Sequence, residues 1–399
     1  MDNNQYGYSY YHNFYNMFGG YNPVIDSEVK RLRRLGVAVG GGMLLFTVMQ
    51  YVVAFLINLF GVNDLYNSDA VFQNGVSALS PFIYVFLPFV ITLLFYKKED
   101  RNITDFFNAP KSKELFLFSV FSGLLICSLG NTATSFLSNI VSLIGADFDK
   151  PDTAMPNSWF GNFLLIVAYA VVPPLVEEFA MRGVVMQPLR KYGDKFAITV
   201  SAILFAVLHG NMIQIPFAFV AGLALGYFAI VTESIWTSVA IHCINNLSSA
   251  IISIYYTKYT EANMLFYFAI EGAIFALGIL AFILFRLMKP KKLNNQTDEI
   301  GNNLKYSTFF CTPTVVICIF ISLITSISYT KINSFGGFMF VTASLILIAV
   351  LLAKGSATAR NDVRITKSGM YTASTVITIV SSFFIFIISV MLPAITGQR

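Results

Sequence analysis

Long apolar runs separated by short polar loops make up most of the chain. A membrane-spanning helix needs about 20 mostly apolar residues. By that measure eleven segments qualify, at 35–58, 77–96, 115–144, 160–181, 196–210, 213–232, 235–256, 264–288, 309–328, 337–353 and 371–393. The third is overlong and is interrupted at Gly130-Asn131, which predicts a kinked or broken helix. The fifth and sixth are joined tightly through His209-Gly210-Asn211. The pattern predicts an all-α fold, a polytopic transmembrane helical bundle of about eleven spans. The polar stretch KPKKLNNQTDEIGNNLKYS at 289–307 reads as a cytoplasmic linker. It separates an eight-helix membrane core, 31–288, from a three-helix membrane extension, 308–399. No repeat of 20–50 residues is visible.

The first 30 residues are of another kind. They are rich in Tyr, Asn and Gly, and lack the basic start and apolar core of a secretory signal. A disordered tail, or one resting on the membrane interface through its tyrosines, is expected there.

Composition sharpens the membrane reading. Of 399 residues 56% are hydrophobic and only 12% charged, with a mean hydropathy of +0.67. Soluble domains carry about a quarter charged residues. So few charges cannot cover a water-facing surface, so lipid is the natural solvent and the cell membrane the expected location. The net charge of +5 does not point to nucleic acid, because Lys and Arg sit in short clusters between apolar runs. With a cytoplasmic N-terminus and alternating spans, 22 of the 26 Lys and Arg residues fall on the cytoplasmic side, Arg182 counted among them. The C-terminus is then expected outside. The 39 phenylalanines are read as core filling and lipid-facing rather than as a nucleic-acid platform. Cys127, Cys243, Cys311 and Cys318 lie in apolar stretches without CxxC spacing and are read as small apolar residues.

Ionisable groups at membrane depth are costly and mark functional candidates. The densest cluster runs Pro173-Pro174-Leu175-Val176-Glu177-Glu178-Phe179-Ala180-Met181-Arg182. Downstream lie Phe205 with His209, then His242 with Asn246. Counting from the basic ends of their segments, Glu177 and His209 lie about 20 Å deep, and His242 about 13 Å. These registers let the three groups meet in one polar pocket opening toward the cytoplasm. Glu178 and Arg182 are four apart on one helical face, suited to an ion pair, while Glu177 is turned by about 100°. His242 and Asn246 also share a face. Pro173 and Pro174 free backbone carbonyls and bend their helix. Glu271 is a further intramembrane acid, read as structural or cavity-lining.

Such a set can hydrolyse a peptide bond without a serine or cysteine nucleophile. A partly buried glutamate takes a proton from water, His209 holds the same water, and His242 with Asn246 donate to the oxyanion.

At these residues the chain resembles the CPBP family of intramembrane endopeptidases, which includes type II CAAX prenyl proteases and bacterial proteins linked to bacteriocin self-immunity. The family pattern EExxxR, FxxxH, HxxxN is met in order by Glu177-Glu178 with Arg182, Phe205 with His209, and His242 with Asn246. The resemblance covers about residues 159–250. It implies a catalytic set of Glu177 as base, assisted by His209, with His242 and Asn246 at the oxyanion, and Glu178, Arg182 and Phe205 in support. It also implies a membrane-associated or lipidated peptide or protein substrate, prenylated peptides included, and no cofactor. Met181 stands where the family often has an aromatic, and Asn245 competes with Asn246 for the pocket.

Three rival readings remain open. A zinc-dependent protease would use Glu177, His209 and His242 as ligands, although the helix signature HExxH is absent. A transporter also keeps broken helices and midplane acids, but no inverted repeat is visible. A non-catalytic immunity or scaffold protein would not need the full polar set.

Overall fold

A computed structural model describes residues 23–148, 154–258, 264–294 and 300–335, together with 337 and 339. Ten principal helices follow one another: α1 (Pro23–Leu59), α2 (Ala70–Phe95), α3 (Lys113–Ile144), α4 (Trp159–Tyr192), α5 (Asp194–His209), α6 (Ile215–Thr232), α7 (Ile235–Lys258), α8 (Met264–Leu287), α9 (Asn302–Phe310) and α10 (Pro313–Ser328). The fold is an all-α polytopic membrane bundle. Among the described residues seven helices are long and apolar enough to span a bilayer, and eight if α9 and α10, bent by 71° at their junction, form one broken span. The expected spans 337–353 and 371–393 lie outside the described residues. Helix α5 stops at 16 residues, about 24 Å, short of a hydrocarbon core of about 30 Å.

Local sequence sets the helix ends. Asp69 caps α2 by accepting from Val71 N and Phe72 N, at 2.8 and 2.9 Å. Ser112 and Ser158 cap α3 and α4 through Leu115 N and Gly161 N, both at 3.0 Å. These side chains satisfy amides that the first turn leaves open. Between α5 and α6, Asn211 Oδ1 accepts from Gln214 N at 2.9 Å and its amide donates to His209 O at 3.0 Å. Helix α3 runs unbroken through Gly130-Asn131, where a kink was expected. Gly130 lies against Val220 and Phe217 of α6, so it serves helix contact rather than a break.

Two compact units divide the chain. The larger holds Gly41–Gln296 and Ile321–Gly337. It contains a two-stranded antiparallel sheet absent from the all-helical expectation, β1 (Ala146–Phe148) against β2 (Thr330–Ile332), with Asp147 opposite Lys331. This unit therefore takes in 321–337, which the linker at 289–307 had assigned to the C-terminal extension. The physical reason is pairing. Besides the strands, Ser322 Oγ donates to Val207 O in α5 at 2.7 Å. In the smaller unit, Thr314 Oγ1 donates to Val37 O at 3.1 Å and Cys318 Sγ to Gly40 O at 3.2 Å. Leu32, Leu35, Phe309 and Val315 are buried there. Two expected boundaries shift. The first helix starts at Pro23, inside the expected 1–30 tail, and α9 occupies the end of the expected linker. In both places an apolar face finds a packing surface that composition alone does not reveal.

The larger unit has one end rich in charge. Glu233 closes the α6–α7 turn in the left-handed region, with φ 53°. It pairs with Lys111 at 2.5 Å and with Lys291. Asp194 accepts from Arg190 Nε at 2.9 Å and from Asn294 N at 2.8 Å at the same end of α5. Arg182 does not belong with these loop charges, where its count had placed it, because it is fully buried within α4.

Candidate active site

Helix α4 departs from the ordinary ladder on both sides of its acidic pair. Val167–Val171 and Phe179–Met186 are π-helical, and Val172–Glu178 between them is α-helical. Single π turns within helices recur at functional sites. Two prolines explain the first. The carbonyl of Tyr169 would ordinarily receive a hydrogen from residue 173 or, in a π turn, from residue 174. Both are proline and carry no N–H. The carbonyl is instead filled from another helix, as Asn246 Nδ2 of α7 donates to it at 3.0 Å. Asn246 Oδ1 in turn accepts from Asn245 Nδ2 at 3.1 Å. The amide is thus fixed in orientation and keeps its second N–H.

The two glutamates part company one residue apart. Glu178 is fully buried, and its two oxygens serve two partners. Oε2 lies 3.1 Å from Arg182 Nε, and Oε1 accepts from His242 Nδ1 at 3.0 Å. Arg182 is equally buried, donates to Gly222 O at 3.2 Å, and lies 4.8 Å above the centre of the Phe205 ring. Gly222 also lets α6 pack closely on α5. A methyl group there would come within 2.9 Å of Ala202 Cα in α5. Glu177 points the other way, its side chain 21% exposed, and Oε2 lies 3.9 Å from His242 Nε2.

Phe205 ties the set together. Its ring meets His209 and His242 edge-on, at centroid distances of 4.9 and 5.6 Å. His209 Nδ1 lies 2.9 Å from Phe205 O. A carbonyl only accepts, so Nδ1 of His209 carries a hydrogen. In the neutral ring Nε2 then keeps its lone pair. His242 Nδ1 likewise faces an acceptor, so in both rings Nε2 is the nitrogen left for other partners.

A cavity of about 430 Å³ receives Glu177, His209, His242, Asn246, Asn245 and Phe205. The structure therefore brings the sequence-derived residues together, with Glu178 and Arg182 behind the wall. Among the described residues no three His, Cys, Asp or Glu side chains are spaced to hold a metal ion. Glu177, His209 and His242 share a space without forming such a three-ligand cage. Glu271 lines neither this cavity nor its neighbour. It accepts from Ser128 Oγ at 2.7 Å between α8 and α3. Sequence reasoning passed over Gln50, Tyr84 and Gln214, which also line the cavity. Their signal was a polar group inside or beside an apolar run. The registers had suggested a mouth on the basic side, yet the larger adjoining cavity is lined from the opposite halves of α3 and α7.

Residues 159–248 match the family model described as Type II CAAX prenyl endopeptidase Rce1-like. No curated protein and no solved structure matches the chain.

Proposed function

On the premise that residues 159–248 are an Rce1-like type II CAAX prenyl endopeptidase domain, we propose that the chain hydrolyses peptide bonds in the membrane with a glutamate-activated water. The observation that carries this reading is the shared cavity. Glu177 and both histidines line it, and the two Nδ1 atoms are held by Glu178 and by the Phe205 carbonyl.

A water between Glu177 and His209 gives one proton to the Glu177 carboxylate while its remaining O–H donates a hydrogen bond to His209 Nε2. The resulting hydroxide attacks the scissile carbonyl carbon. Negative charge gathers on the carbonyl oxygen, where the spare Asn246 N–H donates together with Nε2–H of His242 in its imidazolium form, whose Nδ1–H stays on Glu178. Collapse of the tetrahedral species breaks the C–N bond, and the proton on Glu177 passes to the leaving amine. Glu178 keeps His242 in the orientation, and with the counter-charge, that such donation needs. The mechanism uses no metal ion. Substrates are peptides or proteins held in the membrane, with prenylated peptides one class among them. The charged end with Lys111 and Lys291 is assigned to the cytoplasm, which leaves the N-terminus inside and the C-terminus outside.

Membrane proteomes of cells carrying wild type and Glu177→Gln provide the test. Uncut precursors should accumulate in the variant, and indistinguishable proteomes would overturn the reading. On a precursor so identified, His209→Ala and His242→Ala should each slow cleavage by about 10²–10⁴-fold while still inserting. Stoichiometric zinc in the purified protein, with activity lost to a chelator, would overturn the metal-free mechanism.

A further inference from the structure

A second cavity, of about 620 Å³, adjoins the first, and Tyr169, Gln214, Asn245 and Asn246 line both. It exists because the α5–α6 hairpin is short. Gly130 of α3 lies beside Val220 and Phe217 near the hairpin tip, and α3 continues to Ile144, about 21 Å further. Beyond the tip the space is walled by the second halves of α3 and α7.

The walls mix apolar side chains, Met155, Leu165, Ile213 and Phe217, with uncharged polar ones. Asn131, Ser135, Ser138 and Asn139 follow one another at helical spacing on one face of α3, and Ser249 and Ser253 stand on α7. Among the described residues no Asp, Glu, Lys, Arg or His lines the space. Helical serines commonly return their hydroxyl to the carbonyl one turn back. Among the described residues the four α3 side chains make no hydrogen bond at all. In a membrane span, donors and acceptors left open in this way need water or a ligand that carries both.

The geometry points to this cavity as the groove for the substrate's own backbone. Its occupant is an extended, uncharged peptide segment that arrives from the face opposite Lys111 and Lys291 and runs past Asn246 to Glu177. A peptide offers alternating N–H and C=O groups to both walls. An acyl or prenyl chain would leave the amides and hydroxyls unmet, and a charged segment would find no counter-charge. This inference rests on the proteolytic reading of the adjoining site and adds to it the chemistry and the side of the substrate.

The test uses the full chain as Glu177→Gln in detergent, with two short fluorescent peptides of equal length. One is built from Ser, Asn and Gly, and the other has Lys and Glu at alternate positions. Anisotropy should show the neutral peptide binding at least about tenfold more tightly. Ser138→Cys, alkylated after folding with a bulky maleimide in a Cys243→Ser background, should remove that advantage. Equal affinities, or indifference to the alkylation, would overturn the groove. In sealed vesicles an impermeant maleimide should reach Ser253→Cys from the face opposite the one that exposes Lys291→Cys. Labelling from one common face would overturn the side. If the neutral peptide binds but wild type never cuts it or any membrane precursor, the groove stands and the protease reading falls. If precursors are cut while neither peptide binds, the groove falls alone.

Discussion

At the scale of single residues, Glu178 has the most to hold. It is wholly buried, and its two oxygens answer Arg182 and His242. Removing one partner of a buried pair leaves the other charge without compensation, at a cost of about 3–5 kcal/mol. Arg182→Ala should therefore lower folded yield and depress thermal unfolding by an amount of that order. A normal melting temperature would show that Glu178 is satisfied without it. The link to Arg182 was readable from a spacing of four. The link to His242 was not, because it joins residues 64 apart on different helices. The same limit applies to Asn246. Pro173 and Pro174 announce that carbonyls in α4 are free, but nothing linear says that an α7 amide fills one.

At the scale of elements, length and period located the helices well and their contacts poorly. A glycine followed by asparagine in mid-helix suggested a break in α3. The helix instead carries on, with Gly130 against α6 and Asn131 on a cavity wall. The segment 196–210 was counted among the eleven spans, yet α5 is only 16 residues long and ends at His209. Its packing against α6 depends on Gly222. In Gly222→Ala the added methyl meets backbone rather than a yielding side chain, so overpacking should destabilise by about 1–3 kcal/mol. Chemical unfolding in detergent would measure this. An unchanged midpoint would mean that α5 and α6 separate freely.

At the scale of the whole molecule, the Glu233 cluster at the charged end sits where solvent can reach it, unlike the buried Glu178–Arg182 pair. Glu233, outside the spans, has its carboxyl lowered from 4.5 to about 2, first by the hydrogen bond from Lys111 and then by that from Lys291. A group whose folded value is depressed stabilises above its unfolded value and loses that contribution as pH falls through the folded one. Thermal stability should therefore decline between about pH 4.5 and pH 2. Glu233→Gln should flatten part of that decline. The effect is modest, because the pair is open to solvent and screened by salt. Added salt should shrink it, and a salt-independent slope would place its origin elsewhere.

The proline pair in α4 also has a bearing on engineering. An ordinary residue at 173 would return an amide to Tyr169 O and mend the helix, which favours the fold. The same amide would compete with Asn246 for that oxygen and set its side chain loose. Selection for heat tolerance alone should thus drift toward Pro173→Ala and toward slow enzymes, with turnover falling as the melting temperature climbs.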